Sequence, residues 1–220
     1  MADTAAGSAL PPPVPLNVSR TTWPRGLVFH RVHLDLYGAT EFNPGIKGNA
    51  RFSPIRNSAG EAIPTLYGGD SFACAAMESV FHDVPFTPGF KAYDKARLAG
   101  QLHARLQADA SLVLADLGSK ALRKLGIARK RLIDTEKDQY PATRRWAEAI
   151  HAQCPDVQGL CWTSRQDDSA RALVLFGDRV DPGLLRQAGA SRSLAGDAAC
   201  YGALLDLAEQ IGVDIVPGAR

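Results

Sequence analysis

No run of about 18 apolar residues occurs in this chain, so no segment of it reads as a membrane-spanning helix. Missing as well are the glycine-rich loops that cradle phosphates with backbone amides. There is no G-x-G-x-x-G behind a strand-like run and no Walker-type lysine, so a bound nucleotide would have to be held by arginine side chains. The four cysteines, Cys74, Cys154, Cys161 and Cys200, are scattered without any C-x-x-C pair, which argues against both a zinc site and a disulfide framework. Two of them sit in apolar runs and read as buried, reduced thiols, which fits a cytoplasmic protein. Charge of one sign is in short supply too: 25 Lys and Arg against 23 Asp and Glu leave +2, no case for direct binding of nucleic acid.

What is present suits one well-filled core. The chain has 220 residues, 45% of them hydrophobic and 22% charged, with 14 prolines and 20 glycines to make turns. Its first stretch, MADTAAGSALPPPVPLNVSR, carries an acid at position 3 and a triple proline where an export signal needs an apolar centre. It reads as a flexible arm over residues 1–22, ahead of a single domain over 23–216.

Within that domain RGLVFHRVHL reads as a first strand with Leu27, Phe29 and Arg31 on one face, and a short strand is expected around Arg51 and Phe52 after a Gly/Asn/Pro-rich loop. PTLYGG reads as a strand that breaks at Gly68 and Gly69. A helix over SFACAAMESVFHD follows, capped by Asp70 or Ser71, with Ala73, Met77, Val80 and Val84 in its buried stripe. ARLAGQLHARL and SLVLADL read as strands, SKALRKLGI as a short helix ended by Gly126, residues 128–140 as a charged loop, and PATRRWAEAIHAQ as a helix. GLCWTS and RALVLFG make a hairpin across Ser164 to Arg171, and GDAACYGALLDLAEQIG a helix closed by Gly212 before a last strand, VDIV. Short strands interleaved with a few helices and hairpins predict an α+β single domain.

One stretch, Asn49 to Asp83, gathers an arginine, a tyrosine and a glutamate around a strand-to-helix turn and reads as the wall of a nucleotide-sized cleft. Each residue has an ordinary alternative. A lone helical Glu78 is more often a solvated surface group, Tyr67 suits a core as well as a stacking platform, and Arg31 suits an ion pair as well as an anion site. His82, one turn beyond Glu78, reads as structural or as support for the site.

Taken together, FHR with Arg31, NARF with Arg51, TLY with Tyr67, AAMES with Glu78 and CWTSRQ with Ser164 stand in an order that resembles the RES domain family, named for its Arg, Glu and Ser. Tyr67 and Glu78 stand 11 positions apart, the family's spacing, and the resemblance spans roughly residues 25 to 180 with FGDRV behind the serine. Asn49-Ala50 departs from the glycine that usually precedes the second arginine, the loop from Arg51 to Tyr67 is long, and Asp167-Asp168 replaces an expected asparagine.

The resemblance implies an ADP-ribosyltransferase-like mixed β core that breaks the nicotinamide–ribose bond of NAD by hydrolysis or phosphorolysis. NAD and inorganic phosphate enter as substrates, with no further cofactor and no metal. It implies catalytic roles for Glu78, Arg51 and Tyr67 and substrate-binding roles for Arg31 and Ser164. The chemistry of these residue types agrees: arginine forks suit a pyrophosphate, and a carboxylate stabilises the oxocarbenium-like cation that forms at the ribose. Tyr67 would stack on nicotinamide, and Ser164 would bond the nicotinamide or its ribose. The family's habit further implies the toxin of a toxin–antitoxin pair, a helix-turn-helix antitoxin that covers the cleft, and a homodimer. The helix over 197–211 has a small-residue face, Ala199, Gly202 and Ala203, that suits close packing. Two other readings stand beside this one: transfer of ADP-ribose to a protein, which Ala76 disfavours because many such transferases carry Glu or Gln there, and a non-catalytic nucleotide-binding module.

Overall fold

A computed structural model describes residues 11–218; the first ten residues of the expected arm lie outside them. The arm's far end is not loose. Ser19–Trp23 forms strand β1, which runs antiparallel to a later strand from Ser19 opposite Asp116 to Trp23 opposite Leu112. Apolar anchors explain this: Val18 is buried, Trp23 is fully buried, and the Leu16 amide donates to Gln153 Oε1 at 2.8 Å.

The chain continues through β2 (Phe29–Leu34), the two-residue strands β3 (Ile55–Arg56) and β4 (Ala62–Ile63), β5 (Thr65–Gly69) and helix α1 (Phe72–Met77). Next come β6 (Lys91–Asp94), β7 (Gln101–Ala108), β8 (Leu112–Asp116), α2 (Ser119–Leu125), α3 (Arg129–Leu132) and α4 (Tyr140–Gln153). The hairpin β9 (Gly159–Thr163) and β10 (Arg171–Phe176) follows as expected, then β11 (Leu185–Gln187), β12 (Arg192–Ser193), α5 (Ala198–Gln210) and β13 (Val213–Val216).

Nine strands make one mixed, curled sheet in the order β1-β8-β9-β10-β5-β2-β7-β11, with β12 also on β7. Only the β8–β9 pair is parallel within it. The mixed α+β architecture expected from the sequence is the one observed.

Side-chain alternation along the central strands splits the core in two. From β10, Ala172, Val174 and Phe176 face one cluster with Phe52, Trp162, Trp146 and Ile150, while Leu173 and Leu175 face the other with Phe29, Leu66 and Leu106. Because both faces are buried, the strand reads in the sequence as a continuous apolar run. A third cluster joins α1 to α5 and β13 through Met77, Val80, Phe81, Leu204 and Val213. Ala199 and Ala203 stand exposed on the outer side of α5, away from that packing.

Four local expectations are corrected. β5 does not break at its glycines; it pairs with β10 through both, because a Cβ on Gly68 would come within 2.7 Å of Phe29 and one on Gly69 within 2.7 Å of Cys74 Sγ. The glycines let β2 and α1 approach the strand. The expected helix over 71–83 ends at Met77, where the amides of Ser79, Val80 and Phe81 all converge on the carbonyl of Ala76. Ser79 Oγ also bonds the Ala75 carbonyl and competes with the helical ladder. Arg51 and Phe52 lie in a turn closed by Ala50 and Ser53, not in a strand. The expected loop over 128–140 holds α3 and a short 3₁₀ turn, Lys137–Gln139.

Candidate active site

Ser71 caps α1 by accepting from the Cys74 amide at 3.0 Å. The early end of α1 then decides where Glu78 points: as the residue closing the helix it projects from the helix end, beside the turn that carries Arg51. Its carboxylate is gripped from two sides. Ser164 Oγ donates to Oε1 at 2.7 Å, and Arg51 Nη1 lies 3.8 Å from Oε2.

Both partners are themselves fixed. Ser164, at the exit of β9, is fully buried and accepts from the amides of Gln166 and Asp167 at 3.0 and 3.1 Å, which ties its side chain to the hairpin turn. Arg51, 4% exposed, lies with its guanidinium 5.6 Å from the centre of the Tyr140 ring, and its carbonyl accepts from Thr143 Oγ1 of α4. Arg51 Nε and Nη2 are buried without a partner. Two buried donors without partners cost stability, and the Glu78 carboxylate beside Nη1 offsets part of the cost of burying the charge.

Tyr67 lines the same cleft from β5, and its hydroxyl accepts from the Phe52 amide at 3.1 Å. It therefore positions the Arg51 turn from below. Burial pushes its hydroxyl up to about 12, so it stays protonated and keeps that geometry at neutral pH. Trp162, fully buried, stands edge-on to Phe52 and Tyr67 and forms the cleft floor.

Arg31 is not brought to this place. It alternates with Val32, which lines the cleft, so it faces the opposite side of β2, where Nη1 donates to the carbonyls of Ala39 and Glu41 at 2.6 and 2.7 Å. Burial lowers it to about 10. In this fold Arg31 clamps the loop that leads to Arg51 and does not line the cleft. Ser164, expected to bond the substrate, has its one hydrogen committed to Glu78 in this structure.

Four groups that sequence reasoning left out or placed at the margin complete the cleft of about 370 Å³: His82, Asp83, Lys137 and Tyr140. His82 Nε2 lies 3.0 Å from the Tyr140 hydroxyl and Nδ1 lies 2.8 Å from Asp83 Oδ1, while Lys137 Nζ reaches Asp83 Oδ2 at 2.7 Å. Lys137 and His82 hold the Asp83 carboxyl below the usual range. No local signal distinguishes Tyr140 at the start of a helix or Lys137 in a charged stretch; only His82 stood out by its distance from Glu78.

Arg129 and Arg165 lock this wall to the serine turn, Arg129 onto the Ser164 carbonyl at 3.4 Å and Arg165 onto Thr135 and Glu136. The sequence pattern of the RES domain matches residues 28–195, which cover Arg31, Arg51, Tyr67, Glu78 and Ser164 together. The chain belongs to the RES domain family. RES domains are generally NAD-processing domains of toxin-like proteins. No curated protein sequence matches this RES domain. All four of its cysteines are free and buried, and among the described residues no helix is long and apolar enough to cross a membrane.

Proposed function

We propose that this RES domain degrades NAD by cleaving the bond between nicotinamide and ribose. The reading is carried by one observation: the Glu78 carboxylate, held between Ser164 and Arg51, opens on a cleft of about 370 Å³ whose arginine has two unpartnered donors. As the glycosidic bond lengthens, positive charge develops on the ribose, and a carboxylate fixed in place stabilises it without reorganising. Arg51, which lines the cleft, takes the anionic part of the dinucleotide. Nicotinamide leaves as a neutral base, so its departure asks for no acid.

Small nucleophiles, water or phosphate, complete the reaction in this reading. Ala76, two residues before Glu78, is fully buried, so the position where many transferases orient a protein acceptor offers nothing to one here. Membership of a family of toxin-like domains supports a toxin held by a helix-turn-helix antitoxin, in a cytoplasmic setting. The test is direct. Purified protein with NAD should release nicotinamide, and Glu78→Gln should reduce the rate by at least about 10²-fold with the fold intact. No release by the wild type, or equal release by Glu78→Gln, removes the proposal.

A further inference from the structure

The cleft wall facing Arg51 carries a chain of hydrogen bonds with a defined direction. Asp83 is the fixed end, ionised by its contact with Lys137 Nζ at 2.7 Å. Its Oδ1 accepts from His82 Nδ1 at 2.8 Å, which selects the tautomer whose other nitrogen, Nε2, carries no hydrogen. Nε2 must then accept, and its partner at 3.0 Å is the Tyr140 hydroxyl. Tyr140 donates its only hydrogen there, so its oxygen has lone pairs left to accept from a molecule in the cleft that both residues line. The Gln166 side chain donates to the His82 carbonyl at 3.1 Å and ties this chain to the same turn that holds Ser164.

We infer that Tyr140, His82 and Asp83 form a proton relay that deprotonates a water molecule attacking the ribose carbon released from nicotinamide. This rests on the NAD-cleaving reading and deepens it, because it names the nucleophile the site is built to use. In the step, the water oxygen forms the bond to the ribose carbon while the pair of the old carbon–nitrogen bond leaves with nicotinamide. A water O–H bond breaks, its hydrogen passes to the Tyr140 oxygen, and the Tyr140 hydrogen passes to His82 Nε2. The positive charge that NAD carried on its pyridinium ring ends on His82, beside the Asp83 carboxylate. Burial raises the Tyr140 hydroxyl above its usual range, with Arg51, its guanidinium 5.6 Å from the ring centre, offsetting part of that, so the phenol hands on its hydrogen as it receives one and no free phenolate forms. Tyr140 is the catalytic residue of this relay; His82 and Asp83 are positioning residues that act through it.

Phosphate separates this role from a structural one, since its dianion attacks without losing a proton. The experiment compares the full-length wild type with Tyr140→Phe, His82→Gln and the double variant, following nicotinamide release from NAD at neutral pH with and without inorganic phosphate, and melting temperature in parallel. Hydrolysis without phosphate should fall about 10²-fold in each single variant and no further in the double, while the phosphate-dependent rate stays within about threefold of wild type. Should His82→Gln fail to fold, Tyr140→Phe, which removes one atom, carries the comparison. Equal falls in both reactions, or no fall in either, overturn the relay. Wild-type release that needs phosphate overturns the relay and leaves the role of Glu78 standing, whereas no release under either condition removes both.

Discussion

Ser164 donates its hydroxyl to Glu78 Oε1 at 2.7 Å while accepting from the amides of Gln166 and Asp167 at 3.0 and 3.1 Å. Its hydrogen and its acceptor positions are all in use in this structure. It aims the carboxylate. A hydrogen bond to a charged group is worth roughly 1.5–3 kcal/mol, so Ser164→Ala should lower kcat about 10- to 100-fold with little change in KM for NAD. Steady-state kinetics decide it. A raised KM at unchanged kcat would instead mean that Ser164 touches NAD.

Arg51 is where folding and binding pull apart. Two of its nitrogens are buried without partners, each an unsatisfied donor that costs stability in the empty site. Arg51→Met keeps much of the side chain's volume and removes those donors. Its melting temperature should be equal to or above that of wild type, while affinity for NAD, read by calorimetry with the slow Glu78→Gln background, falls at least about tenfold. A large drop in melting temperature would show that the Arg51–Glu78 contact is structural.

The elements that carry a strong period were legible in the sequence: α2 with its Gly126 terminus, α4, α5 and the β9–β10 hairpin. Short elements were not. β3, β4, β11 and β12 have two or three residues each, too few for alternation to show, and their pairing is dictated by the strands beside them. Of the site, Glu78, Arg51 and Tyr67 were identified correctly as neighbours, yet how they meet was hidden. The early end of α1 depends on Ser79 and Ala76, and the orientation of Arg51 depends on a turn that tertiary contacts to Thr143 and Tyr67 hold in place. Arg31 shows the converse: the motif marks the residue, and only the alternation of β2 reveals which face it serves.

Arg31 donates to two carbonyls of the loop that precedes Arg51, at 2.6 and 2.7 Å, from a nearly buried position. Arg31→Met should leave both carbonyls without their charged donor and cost about 2–4 kcal/mol of unfolding free energy. Limited proteolysis should then cut within residues 36–50 faster than in wild type. Should Arg31→Met keep its stability and its resistance to protease while losing affinity for NAD, the residue reaches the substrate after all.

On the same face of β2 as Val32, His30 Nδ1 meets His103 Nε2 at 2.9 Å, with Phe72 of α1 edge-on to the His103 ring. Burial, then the neighbouring His30, Arg192 and Arg105, lower His103 from 6.5 to about 4, and burial lowers His30 in the same direction. Both rings are therefore neutral in the native state where the unfolded chain would protonate them. Between pH 6.5 and about 4 the unfolded state binds more protons, so stability rises with pH through that window and is lost as pH falls through it. The pair is partly open to solvent, which screens the effect, so the loss on going from pH 7 to 4.5 should be about 1–2 kcal/mol from His103. Urea midpoints at pH 7, 5.5 and 4.5 measure it, against His103→Gln as the reference. The variant's curve should be flatter over this window, and parallel curves for the two proteins would show that His103 titrates normally in the folded state.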